Sequence, residues 1–195
     1  MIHRELWVQL RALDPADVGR RSGAARSGSR YLLPVLNLRF EVDPQAEKVS
    51  PAAGEPPRKP DFWLALSCVQ YLIHAQAIPL AGDLVKADHF DSGGLFFRGL
   101  HEMPTATLAS RFGSGLADFA ARAAALGAPR IPYGDEARTF QLFPHLPITV
   151  VLWVEDEEFP ARASILFDST ASEQIPLDAL WAATRFLASE LTRGS

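Results

Sequence analysis

The stretch "VLWVEDEEFPARASILFD", from Val151 to Asp168, decides how the chain is expected to fold. Apolar residues dominate both of its ends, and four consecutive carboxylates, Glu155 to Glu158, separate them. After the acidic run, apolar and polar residues alternate with the period of two that is typical of a β-strand. The stretch therefore predicts two antiparallel strands joined by an acidic turn.

The flanking sequence predicts further strands and several helices. The expected elements are a helix with an internal turn at 1–22, a hairpin at 30–45 and a buried helix at 61–76 capped by Asp61. Extended segments at 79–101, two helices broken at Gly113 and a C-terminal helix at 175–191 are expected to follow. Residues 44–60, rich in Pro and charge, predict a surface loop with one short strand near Val49. This order indicates an α+β fold: a single globular domain over residues 1–195, mainly an antiparallel sheet packed against several helices.

Composition and charge exclude several classes of function. The formal net charge of −4 and the pI of about 5.7 argue against nucleic-acid binding through the overall field. The longest apolar runs are far shorter than the ~20 residues of a spanning helix, so no membrane insertion is expected. The N-terminus shows no apolar core of a signal peptide, and we expect a soluble cytoplasmic protein.

The chain contains one cysteine, Cys68. A single cysteine forms no intramolecular disulfide and supplies no cysteine-based iron–sulfur or zinc site. Its place in the middle of an apolar helix predicts a small core residue with an unreactive thiol. No iron–sulfur cluster is therefore expected from this chain.

Two groups of polar residues are candidates for a site. Adjacent carboxylates splay into water at a hairpin tip, so the bland interpretation of the acidic run is a solvated turn. The alternative is a ligand- or partner-binding turn, whose candidate residues are Trp153, Asp156, Glu157, Glu158, Phe159 and Asp168. His89 and Asp91 alternate in a segment predicted to be extended, and with His101 or Glu102 they form a candidate metal site.

The hairpin motif also carries a family resemblance. "PITVVLWVEDEEFPARASILFD" contains a W-x-x-D-E-E-F-P turn and an L-F-D strand end, and it resembles the domain-of-unknown-function family numbered 3786. "DPADVGRRSGA", "YLLPVLNLRFEVDP" and "LALSCVQYLIHAQAIPLAGDLV" are similar in order and position, so the resemblance covers roughly residues 5–192. It implies a bacterial or archaeal protein associated with iron–sulfur, corrinoid or other redox metabolism in anaerobes, but it assigns no catalytic residues.

These observations leave three hypotheses open. The first is a non-catalytic accessory protein that docks on a redox protein or larger enzyme complex, or that holds a corrinoid or haem. The second is an enzyme with a small polar or metal site between residues 88–102 and 155–168. The third is a structural subunit with a large apolar face.

Overall fold

Two antiparallel four-stranded sheets and a set of helices make up residues 2–193, which are the residues that the computed structural model describes. The predicted α+β class is confirmed. Residues 1, 194 and 195, at the ends of the predicted range 1–195, lie outside the described residues.

The N-terminal part of the chain builds two helices and the first sheet. Its elements are α1 (Arg4–Ala12), α2 (Pro15–Ser22), β1 (Ala25–Ser27), β2 (Arg30–Val35), β3 (Leu38–Asp43) and β4 (Lys48–Pro51), with strand order β1-β2-β3-β4. Asp14 caps α2 by accepting hydrogen bonds from the N–H groups of Ala16 and Asp17. The strand predicted near Val49 is β4, so part of the predicted 44–60 loop belongs to the sheet.

The buried helix α3 (Phe62–His74) organises the core. Asp61 caps it as predicted, because its carboxylate accepts the N–H of Leu64 at 2.8 Å. The hydroxyl of the fully buried Tyr71 donates to the carbonyl of Ser22 and accepts the N–H of His145, both at 3.0 Å. One side chain of α3 thus holds the N-terminal helices and the second sheet in register.

The segment after α3 differs from the prediction. Instead of extended pieces it contains β5 (Leu84–Val85), a 3₁₀ turn (Ala87–His89), the one-turn helix α4 (Gly93–Phe96) and a second 3₁₀ turn (Gly99–His101). The physical reason is a close backbone approach, because a Cβ on Gly93 would lie 2.1 Å from the carbonyl oxygen of Ala87. Only glycine permits this approach, and it folds the segment back on itself.

The C-terminal part supplies the second sheet and the remaining helices. These elements are α5 (Thr105–Phe112), α6 (Leu116–Ala125), β6 (Glu136–Phe143), β7 (Leu146–Trp153), β8 (Arg162–Asp168), α7 (Ala171–Gln174) and α8 (Leu177–Thr192). The strand order is β5-β8-β7-β6. The break between α5 and α6 at Gly113 is as predicted. No side-chain cap from Thr105, Thr107 or Ser114 forms, because Pro104 and Gly115 occupy the cap positions.

Two features of the second sheet bear on the candidate site. The long apolar stretch 138–153 turns at Pro144 and His145 and forms the hairpin β6–β7. Helix α8 packs along α3. Arg58, in the loop that precedes α3, anchors this loop on α8 through a bidentate ion pair with Glu190. The segment 84–105 contacts β8 through the pairing of β5, and it contacts α8 through Trp181.

Candidate functional site

The acidic run lies at the tip of the β7–β8 hairpin, as predicted. The strands pair up to Trp153 and Arg162, and all four carboxylates of Glu155 to Glu158 are exposed. Asp156 accepts the N–H groups of Glu158 and Phe159 at 2.9 and 2.8 Å, and these bonds hold the pKa of its carboxyl below the ordinary value. Asp156 thus shapes the turn, and the acids do not converge on a common point.

Of the two aromatic residues that flank the tip, Trp153 is covered by a neighbouring side chain and Phe159 is exposed. The guanidinium of Arg162 lies 4.6 Å from the centre of the Trp153 ring, which closes the base of the hairpin. Phe159 is 61% exposed and has room for an outside contact. The predicted ligand- or partner-binding role of this tip stays a prediction, and Phe159 is the side chain best placed to serve it.

Asp168 lies at the other end of β8, roughly 20 Å from the tip at about 3.3 Å per residue. Its buried carboxylate accepts the N–H groups of Ala81, Gly82 and Thr170 and the hydroxyl of Thr170, at 2.7–3.1 Å. Burial raises the pKa of Asp168, but these hydrogen bonds outweigh it and the net shift is downward. Asp168 fastens the loop before β5 and does not share a site with the acidic turn.

The three predicted metal ligands have separate environments. His89 is exposed and bonds to the neighbouring Asp88 at 3.2 Å. The ring of His101 stacks on Phe96 at 4.5 Å and meets the edge of Trp181 at 5.2 Å. Within residues 2–193, no three His, Cys, Asp or Glu side chains gather as a metal-binding group, so the structure does not bring His89, Asp91 and His101 together.

A cleft of about 340 Å³ lies between the 84–105 segment and β8. It is lined by Lys86, Ala87, Asp88, Phe97, Glu102, Met103, Thr105, Ala163, Ser164 and Ile165. The second hypothesis placed a site between residues 88–102 and 155–168, and the cleft lies there. Its wall on the hairpin side is β8 itself, and the acidic run takes no part.

The cleft exists because β5 is short. β5 pairs only with Asp168 and Phe167, and at Ala87 the chain leaves the sheet in a 3₁₀ turn. Residues 163–165 of β8 therefore have no strand on their outer edge within residues 2–193. Backbone groups on such an edge are free to meet a ligand.

A chain of partly exposed rings lies next to the cleft, and we call it the aromatic ridge. It consists of Phe62, Trp63, Trp181, His101, Phe96 and Phe97, whose successive ring centres are 4.5–5.2 Å apart. Leu95 and Leu100 beside it are 80% and 92% exposed. Sequence reasoning missed the ridge, although "GGLFFRGL" contains two of its rings, Phe96 and Phe97, and the two exposed leucines beside it.

The cysteine of the chain lies in the core. Cys68 is fully buried in α3, and burial raises the pKa of its thiol far above the ordinary value. Across residues 2–193, no helix combines the length and apolar character needed to cross a membrane.

These features define an α+β protein that carries a charged cleft beside an exposed aromatic ridge. The chain belongs to the family described as Domain of unknown function (DUF3786), whose model matches residues 14–190. The match confirms the resemblance drawn from the hairpin motif. No curated protein and no solved structure was found to match the chain.

Proposed function

We propose that this protein is a non-catalytic accessory protein that docks on a partner protein through the aromatic ridge. The observation that carries the proposal is the exposure of Leu95 and Leu100, at 80% and 92%, on two single-turn helical segments. Burying a leucine side chain is worth about 1.5–3 kcal/mol. Large exposed apolar groups clustered with aromatic rings are typical of protein interfaces.

Two exposed arginines beside the ridge are available to acidic groups on a partner. Arg98 and Arg185 are both exposed, and the guanidinium of Arg185 lies 5.8 Å from the centre of the Trp181 ring. Neither arginine forms an ion pair among residues 2–193. Arginine and tryptophan are the residue types that dominate binding energy at interfaces, and a complementary acidic rim speeds association.

The family resemblance suggests the kind of partner to test first. It implies a cytoplasmic redox protein or a larger enzyme complex of anaerobic metabolism. The cofactor-holding version, with a corrinoid or haem, has weaker support because the cleft is small for a macrocycle and no histidine lines it. We therefore place the redox function on the partner.

Affinity purification from the native host, under anaerobic conditions, tests the docking proposal. The wild type is compared with the double variant Leu95→Ser/Leu100→Ser, and Val8→Ser/Leu80→Ser serves as the matched control because those residues are exposed elsewhere. We expect one defined partner, identified by mass spectrometry, to bind the wild type and the control but not the ridge variant. Equal recovery by all three proteins would contradict the proposal.

The cleft favours the second candidate, an enzyme. The cleft is lined by two carboxylates, of Asp88 and Glu102, and by the ammonium group of Lys86. General acid–base catalysis requires at least one such group within reach of the substrate. A catalytic role predicts that Glu102→Gln abolishes a turnover measured on a metabolite extract while leaving partner recovery unchanged. An unchanged extract after incubation with the wild type rules against it.

A further inference from the structure

The cleft contains charges of both signs that the protein itself does not pair. The ammonium of Lys86 and the carboxylate of Glu102 are exposed, and neither forms a hydrogen bond or ion pair among residues 2–193. The two groups stand more than 4.0 Å apart. Two separated, opposite charges in one cleft match a ligand that carries both charges itself.

The remaining walls divide into a polar and an apolar part. Ser164 and Thr105 provide hydroxyl groups, and the open edge of β8 provides backbone donors and acceptors. Phe97, Met103 and Ile165 provide the apolar part. A cleft with a few convergent polar groups and an apolar wall is the usual form of a small-molecule site.

The size of the cleft limits the ligand. Its volume of about 340 Å³ is at the lower end of the range of roughly 300–1,000 Å³ for ligand sites. A macrocycle is too large for such a space, whereas a single amino acid fits within it. A second acid, Asp88, adds to the negative side, so the cleft offers more to an ammonium group than to a carboxylate.

We infer that the cleft binds a small zwitterion of the α-amino-acid type with an apolar side chain. Lys86 pairs with the ligand carboxylate, and Glu102 and Asp88 receive its ammonium group. The apolar side chain packs on Phe97 and Met103. Phe97 belongs to both the cleft and the aromatic ridge, but Leu95 and Leu100, whose exposure carries the docking proposal, do not line the cleft.

Ligand-observed NMR and calorimetry on the full chain test the inference with L-leucine and L-phenylalanine. Two further probes, 2-phenylethylamine and 3-phenylpropionate, each lack one of the two charged groups. We expect both amino acids to bind and both single-charge analogues to bind at least about tenfold more weakly. Equal binding of the amine and of phenylalanine would overturn the zwitterion assignment.

Four variants locate the site. Lys86→Met and Glu102→Gln should each weaken amino-acid binding at least about tenfold. Lys48→Met and Glu173→Gln remove exposed charges outside the cleft, so these two variants should bind the amino acids as the wild type does. Circular dichroism establishes that each variant is folded. No binding of either amino acid to the folded wild type, or equal binding by all variants, overturns the inference.

Discussion

The indole Nε1 of Trp181 donates a hydrogen bond to the backbone carbonyl of Glu102 at 3.1 Å. This bond joins helix α8 to the 84–105 segment where the aromatic ridge meets the cleft, since Trp181 belongs to the ridge and Glu102 lines the cleft. The position of the Glu102 carboxylate therefore depends on a helix that does not line the cleft.

Removing the indole donor should loosen this junction. Trp181→Phe keeps an aromatic ring but loses the bond, and we expect a decrease in the free energy of unfolding of about 0.5–1 kcal/mol. Amide hydrogen exchange at residues 99–103 should become faster. Trp63→Phe is the matched control, because it also replaces an indole of the ridge with a phenyl ring but removes no hydrogen bond. Equal exchange in the two variants would show that the bond does not hold the segment.

Asp168→Asn should destabilise the fold although it conserves shape. Oδ2 of Asp168 accepts the N–H of Gly82 at 2.7 Å, and the amide nitrogen that replaces this oxygen cannot accept it. Losing a hydrogen bond to a charged acceptor costs about 1.5–3 kcal/mol, which urea unfolding at neutral pH measures. Asp83→Asn, at an exposed position in the same loop, should leave the unfolding midpoint close to that of the wild type.

The lowered pKa of Asp168 also predicts a dependence of stability on pH. The unfolded carboxyl titrates near its ordinary value of about 3.9, and the folded one titrates below it. The stabilisation is complete above the unfolded pKa and is lost as pH falls through the folded pKa. We expect the difference in unfolding free energy between wild type and Asp168→Asn to shrink on acidification. A constant difference would mean that Asp168 is not the titrating group.

The conformation of the hairpin tip should depend on Asp156 and not on the other three acids. Asp156→Ala removes the acceptor for the N–H groups of Glu158 and Phe159, so exchange of these two amides should become faster. Glu157→Ala, which removes an exposed neighbour, should leave both amides unaffected. If the two variants show the same amide exchange at Glu158 and Phe159, the hydrogen bonds of Asp156 do not hold the turn.

Gly93→Ala tests the backbone approach that shapes the cleft. The added Cβ would lie 2.1 Å from the carbonyl oxygen of Ala87, so α4 must move away from the preceding turn. We expect overpacking to cost about 1–3 kcal/mol and amino-acid binding to weaken. Gly94→Ala is the control, since its nearest contact is 3.5 Å. If Gly93→Ala matches Gly94→Ala in stability and binding, the approach does not shape the cleft.

Short-range chemistry made several elements predictable. Asp14 and Asp61 cap helices within three residues of themselves, and the acidic turn follows from the apolar strands on both sides of it. The segment 79–101 was predicted wrongly, because its path depends on Gly93 meeting a carbonyl that the local pattern does not show.

The sequence by itself determined the α+β class, the central helix α3, the exposed acidic turn and the family to which the chain belongs. Only the tertiary structure decided that Lys86 and Ser164 face one cleft and that Trp181 reaches Glu102. Strand and helix periods, caps and turns depend on neighbours a few residues away. A cleft and a surface ridge depend on how distant segments pack, and in this chain β5 is short enough to leave the edge of β8 open.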